Sequence, residues 1–248
     1  MNKFRSDIVD VVSRSIDQGV DRIYMPNIDH TSIDDMLELE EKFPETCIPM
    51  MGLHPCSVKK DFEKELYLVE EWLSKRKFVA IGEMGTDLYW DKTFWEEQKE
   101  AFRIQSEWAL QYDLPVVIHC RETIPETIDL VRELKEENYR GIFHCFTGTE
   151  AHAKNIRELG FWLGLGGVAT FKNGGLDQVI PEIDLEGMVL ETDSPYLSPV
   201  PHRGKRNEPS YIPIIAEKVA SVKGVSVEKL AEVTTKNALK IFNPEKAL

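Results

Sequence analysis

Five residues of metal-binding or acid–base type stand at one recurring position in this 248-residue chain. His54 lies in GLHP, Glu83 in AIGEMGTD, His119 in VVIHCR, His144 in IFHCFTG and Asp193 in VLETDSP, each ending or following a short apolar run. Imidazole and carboxylate ligands together suit zinc, manganese or magnesium. A divalent ion held by Glu83, His119 and His144, with Asp193 nearby, lowers the pKa of bound water from about 15.7 toward ~7 and stabilises charge on the oxygens of the group attacked. The chemistry implied is metal-assisted hydrolysis, with Asp193 accepting the proton from that water or binding a second ion. A lone G-E-x-G is often a solvated turn, but a carboxylate straight after VAIG points into the mouth of a sheet, which favours Glu83 as a ligand. His54 is expected behind a ligand or facing a phosphate. Neighbouring strand residues face opposite ways, so Cys120 and Cys145, next to His119 and His144, are expected as packed core residues.

Elements that could bring residues 54 to 193 together must place strand ends side by side. Apolar runs at 22–26, 48–53, 78–82, 115–119, 141–145, 161–165 and 188–191 alternate with amphipathic, helix-length segments, the pattern of βα units around a parallel sheet. In a (β/α) barrel the carboxyl ends of all strands meet on one face, and ~250 residues is its usual length. The fold class expected is therefore α/β, a TIM barrel, as a single domain over 1–248. Seven strands are one short of a closed barrel, and because the chain opens on the helical stripe Ile8, Val11, Val12, Ile16, the strand lacking is the first. Ser6 with Asp7, and Thr31 or Ser32, are expected helix N-caps, and Gly19 a C-terminal stop.

A second group of residues points to an anionic substrate. The Pro-rich segment 191–209 places Arg203, Lys205 and Arg206 within about a dozen residues of Asp193, and Arg121 lies two past His119. In a chain of net charge −13 such a cluster is expected to grip substrate phosphate rather than to coat a duplex, which needs many more cations. The stretch LGLGGVATFKNGG matches neither a P-loop nor G-x-G-x-x-G, and no serine sits in a G-x-S-x-G elbow, so nucleotide cofactors and serine-hydrolase chemistry are not indicated. His30 and His152 are expected at the surface. The four cysteines form no C-x-x-C pair and are read as reduced; with no apolar signal core or membrane-length run, a cytoplasmic protein is expected.

Taken in order, GLHP, AIGEMGTDLYW, Gln98 with Phe102 and Gln105, LPVVIHCRE, HCFTG, GLGGVATFKN and LETDSPYL followed by SPVPHRGKRNEP resemble the TatD-like hydrolases of the amidohydrolase superfamily, from about residue 4 to the carboxyl terminus. The resemblance implies a TIM barrel acting as a metal-dependent DNase, often an exonuclease on single-stranded DNA ends, with one or two divalent ions. Glu83, His119 and His144 match its metal ligands, Asp193 its ligand or base on the last strand, and His54 its cleft histidine. Family members open with a strand carrying H-x-H; none precedes Phe4 here, as if that strand were absent. Two other readings use the same residues: hydrolysis of an ester, lactone or amide, and a non-catalytic metal-binding barrel.

Overall fold

The apolar runs become short parallel strands and the amphipathic stretches become helices. The computed structural model describes residues 3–134 and 136–242. In chain order its main elements are α1 (Ile8–Asp17), β1 (Ile23–Met25), α2 (Ile33–Lys42), β2 (Cys47–Pro49), α3 (Phe62–Lys75), β3 (Ile81–Asp87), α4 (Trp95–Gln111), β4 (Val116–Arg121), α5 (Ile124–Glu133), β5 (Gly141–Phe143), α6 (Glu150–Glu158), β6 (Trp162–Leu165), α7 (Leu176–Val179), β7 (Met188–Leu190), α8 (Ile212–Lys223) and α9 (Val227–Phe242). Each expected strand is found, and the described chain opens on α1. None of the described helices is long and apolar enough to cross a membrane. The chain divides into two compact units: Arg22–Phe143 with Leu159–Phe161, and the remainder.

In the first unit β1 pairs with β2, and β3, β4 and β5 pair in sequence, all parallel. A bridge from Met51 to Ile81 links the two sets. The core beneath them holds Met51, Leu53, Ile81, Met84, Phe102, Ile118, Phe143 and Phe161, each without solvent exposure. Gln105 of α4 accepts from the Leu53 N–H and donates to its carbonyl, satisfying backbone that leaves β2 without a strand partner. Asn27 is fully buried and donates to the Gly52 carbonyl.

Strand β3 departs from the expected run at 78–82. It starts at Ile81 and continues to Asp87, so Glu83 lies inside the strand rather than after it. One extra residue of β3 is accommodated between the Ile81–Val116 and Met84–Ile118 pairs, a bulge that re-aims the side chains beside it. Polar E-x-G-T-D reads as a turn, yet all seven residues of β3 are buried because each polar group has a protein partner. Gly85 is required: a Cβ there would stand 1.9 Å from the His119 carbonyl oxygen, and its φ is +145°.

The second unit pairs β6 with β7 in parallel and packs α8 and α9 beside them, with Leu163, Leu165, Ile215, Val219, Leu230 and Ile241 buried. Asn237 of α9 donates to the carbonyls of Leu185 and Met188, holding the entry to β7. The expected N-cap positions are found, with different side-chain bonding. Asp7 stands at the N-cap of α1 but makes no side-chain bond to the helix, because Arg206 takes its carboxylate; Ser32 stands at the N-cap of α2, and the 3₁₀ turn before it is closed by Asp29, which accepts from the Thr31 N–H while Ser32 Oγ accepts from the Asp29 N–H. Gly19 follows α1 at φ +80°, as a C-terminal stop should.

Candidate metal centre

Parallel pairing puts partners on the same sheet face, so Gly85 with His119 and Asp87 with Arg121 define one face of β3 and β4. On that face the His119 ring lies between two carboxylates. Its Nε2 is 2.8 Å from Asp87 Oδ2 and its Nδ1 is 3.0 Å from Glu83 Oε1. Asp87 is 2% exposed and Glu83 6%. Burial opposes the charge on Asp87, but the His119 hydrogen bond and charge, with the N–H groups of Trp90 and Tyr89, outweigh it and hold its pKa down to about 2.

His54 closes the group. Its Nε2 is 3.2 Å from the same Glu83 oxygen, and its ring centroid is 4.6 Å from that of His119. One donor atom each from His54, Glu83 and His119 falls within 4.8 Å of the others, a spacing open to a metal ion. The hydrogen bonds separate their roles. His54 Nδ1 accepts from the Cys56 N–H at 3.0 Å, so in the neutral ring Nε2 carries the proton and donates to Glu83; it has no lone pair to offer a metal. Burial disfavours a charge on this ring, the neighbouring Glu83 outweighs the penalty, and the pKa stands above the usual histidine value.

Glu83 and His119 fit a cation. With Nε2–H committed to the ionised Asp87, Nδ1 faces the Glu83 carboxylate at 3.0 Å; a proton on Nδ1 makes the ring a cation shared by two buried carboxylates, and a metal ion in that proton's place would meet the Nδ1 lone pair and the carboxylate together. A carboxylate behind the far nitrogen is the usual means of orienting a metal-binding histidine. Asp87 went unassigned in the sequence, although its spacing of four from Glu83 on one strand is a usable sign.

In the second unit His144 is the first residue past β5, 8% exposed, with Nδ1 3.5 Å from Glu191 Oε2. Glu191 Oε1 accepts the Cys145 N–H. Glu191 thus lies at ion-pair distance from His144 while its other oxygen holds the backbone next to it, and it too went unassigned. Asp193, two residues on, is half-buried with φ +55°. The expectation that Cys120 and Cys145 are buried core is corrected: both are half-buried. Cys145 lies past the strand end at φ +46°, where strand alternation no longer applies. Cys120 pairs in register with Thr86 near the exposed end of β4.

The basic loop divides. Arg203 and Lys205 are exposed, the Arg203 guanidinium 3.7 Å above the Phe171 ring. Arg206 is corrected from a substrate group to a structural one. Its Nη1 donates to Asp7 Oδ1 at 2.7 Å and to the Lys3 carbonyl, and its Nη2 to Asp7 Oδ2 at 2.6 Å and Glu208 Oε1 at 2.9 Å. Four bonds to two carboxylates and a carbonyl leave it little capacity for a phosphate. Arg121 is exposed at the end of β4, stacked 3.5 Å over Tyr89. His30 is exposed and His152 half-buried.

Residues 1–243 match the family model described as TatD related DNase. A metal-dependent hydrolase of Bacillus subtilis is 36% identical over 97% of this chain and 94% of its own length. A 3'-5' ssDNA/RNA exonuclease TatD of Edwardsiella piscicida is 31% identical over 97% and 95%. A solved TatD homologue of Escherichia coli K12 superimposes with a TM-score of 0.92 at 26% identity, covering 98% of this chain and 94% of that one. The fold class is therefore α/β, that of the TatD barrels.

Proposed function

This chain is a metal-dependent hydrolase of the TatD related DNase family, and from that premise we propose that the bond it cleaves is a phosphodiester, in single-stranded DNA and at its ends. The observation that carries the reading is the His119 ring held by Asp87 with Nδ1 turned to Glu83. Glu83 and His119 would hold a divalent ion, zinc, manganese or magnesium; the resemblance adds His144 and Asp193 as ligands, and each is open to its own variant. When bound, the ion supplies a more acidic water and a positive charge beside the phosphoryl oxygens.

The chain's own groups do the rest. Asp87 orients the His119 ring through Nε2, and Glu191 places a negative charge beside His144. Asp193 takes the proton released as water oxygen bonds to phosphorus and the ester P–O bond breaks, the departing alkoxide recovering a proton from solvent. His54 presents Nε2–H, a donor able to pass between Glu83 and a phosphoryl oxygen. Arg203, Lys205 and Arg121 supply exposed cations for flanking phosphates. Support for phosphate over a carboxylic ester comes from these cations in an otherwise acidic protein, and from relatives named as nucleases.

The test is a parallel assay with added Mn²⁺ or Mg²⁺: an end-labelled single-stranded oligonucleotide against ester, lactone and amide substrates. Chelator-sensitive shortening of the oligonucleotide is expected. Turnover of the ester or lactone alone would move the assignment to carbonyl chemistry, and stoichiometric metal without any turnover would make the protein a binding barrel.

A further inference from the structure

Just beyond Asp87 the chain exposes two large aromatic side chains. Trp90 is 72% exposed and Tyr89 47%. Their rings meet edge to face, centroids 4.9 Å apart, and the Arg121 guanidinium lies 3.5 Å over Tyr89 and 5.6 Å from Trp90. Single exposed aromatics need no explanation, but the turn that carries this pair is fixed in place. Asp87 Oδ1 accepts both the Tyr89 and Trp90 N–H groups, at 2.8 and 3.2 Å, and the Leu88 N–H donates to the Arg121 carbonyl. The other oxygen of the same carboxylate holds His119. One buried side chain thus sets both the aromatic turn and the histidine of the candidate centre.

We propose that Trp90 and Tyr89, with Arg121, form a stacking platform for an unpaired base of single-stranded nucleic acid, Arg121 taking the phosphate beside that base. The proposal rests on the nuclease reading above and names the residues that would select a single strand. A turn held by backbone bonds, with rings that already pack on each other and on Arg121, leaves less freedom to be lost on binding, and every base has a face to stack. A base inside a duplex is covered by its neighbours, so the platform favours frayed or single-stranded ends. The nearby Asp91 is countered by Lys59 at 3.5 Å, which reduces repulsion of an anionic strand. A second protein copy fits less well: two aromatics cover roughly 300–500 Å², against the ~800 Å² per partner of a stable interface.

The experiment uses the full chain with Mn²⁺ and a set of short single-stranded oligonucleotides that differ only in the position of one abasic site. The wild-type protein should show one position near the cut where loss of the base lowers kcat/KM about tenfold, equivalent to about 1.4 kcal/mol. Trp90→Ala should abolish that difference and Trp90→Phe should retain most of it, with unchanged circular dichroism. Equal rates at every abasic position in the wild type, or a penalty that persists in Trp90→Ala, would overturn the platform while leaving the nuclease reading intact. A halved mass in solution for Trp90→Ala would also overturn it, marking the face as an interface between copies. Failure of the metal-loaded wild type to cut any oligonucleotide would remove the nuclease reading, and this inference with it.

Discussion

Two charged clusters in this protein are built from the same groups and behave differently. In the second unit Arg206 faces Asp7 and Glu208, and Arg14 donates to both oxygens of Glu208; two cations meet two anions with short bonds and part exposure. In the first unit Glu83, Asp87, His54 and His119 are more deeply buried, and a single histidine ring stands between two carboxylates, so negative charge is in excess even when that ring is protonated. A matched network holds α1 to the segment around 206–208 and asks for nothing further. A mismatched one, costly under burial, is where a ligand is called for.

The largest effects are expected at the mismatched cluster. Chelation, Glu83→Gln and His119→Ala should each cut the hydrolytic rate by roughly a thousandfold or more with little change in circular dichroism, since a removed ligand removes the metal's contribution. His144→Ala and Asp193→Asn are expected to do the same. Variants that fail to fold would show that these groups were holding the protein together instead.

A smaller effect belongs to the residues behind the histidines. Asp87→Asn should weaken metal affinity about ten- to a hundredfold, and excess metal should restore much of the activity. An unaltered metal titration would reduce Asp87 to a support for the aromatic turn.

Smaller again is the effect of loop charge, which sharpens the contrast within one segment. Neutralising Arg203 and Lys205 together should raise KM for oligonucleotides and lower the slope of log affinity against log salt by roughly one for each phosphate no longer neutralised. Arg206→Ala should leave that slope alone and lower the melting temperature. A salt slope that responds to Arg206 would return it to the substrate-binding group.

The smallest effect is the acid response of the matched cluster. Hydrogen bonds from Arg206 lower the pKa of Asp7 below 3.8, burial notwithstanding; Glu208 is opposed by burial but held below 4.5 by Arg14 and Arg206. A carboxylate depressed on folding stabilises fully above its unfolded value and loses that contribution as pH falls through the folded one. The melting-temperature gap between wild type and Arg206→Ala should therefore be constant from neutral pH down to about 5 and close below about 4. A gap that widened on acidification would contradict the assignment.

Much of this was legible in local residue order. The βα alternation, the strand positions to within a few residues, Gly19 as a helix stop, and the placing of Glu83, His119, His144 and Asp193 in or just past strands follow from hydrophobic period and from residue types at recurring offsets, which are short-range properties. What escaped depends on partners distant in the chain. Arg206 became structural because Asp7, 199 residues away, reaches it first. Asp87 gained its role because the bulged β3 brings it level with β4 and onto the His119 ring, and Glu191 because it meets a histidine far earlier in the chain. A polar side chain's function is set by which donor or charge satisfies it once buried, and that choice exists only after the chain has folded.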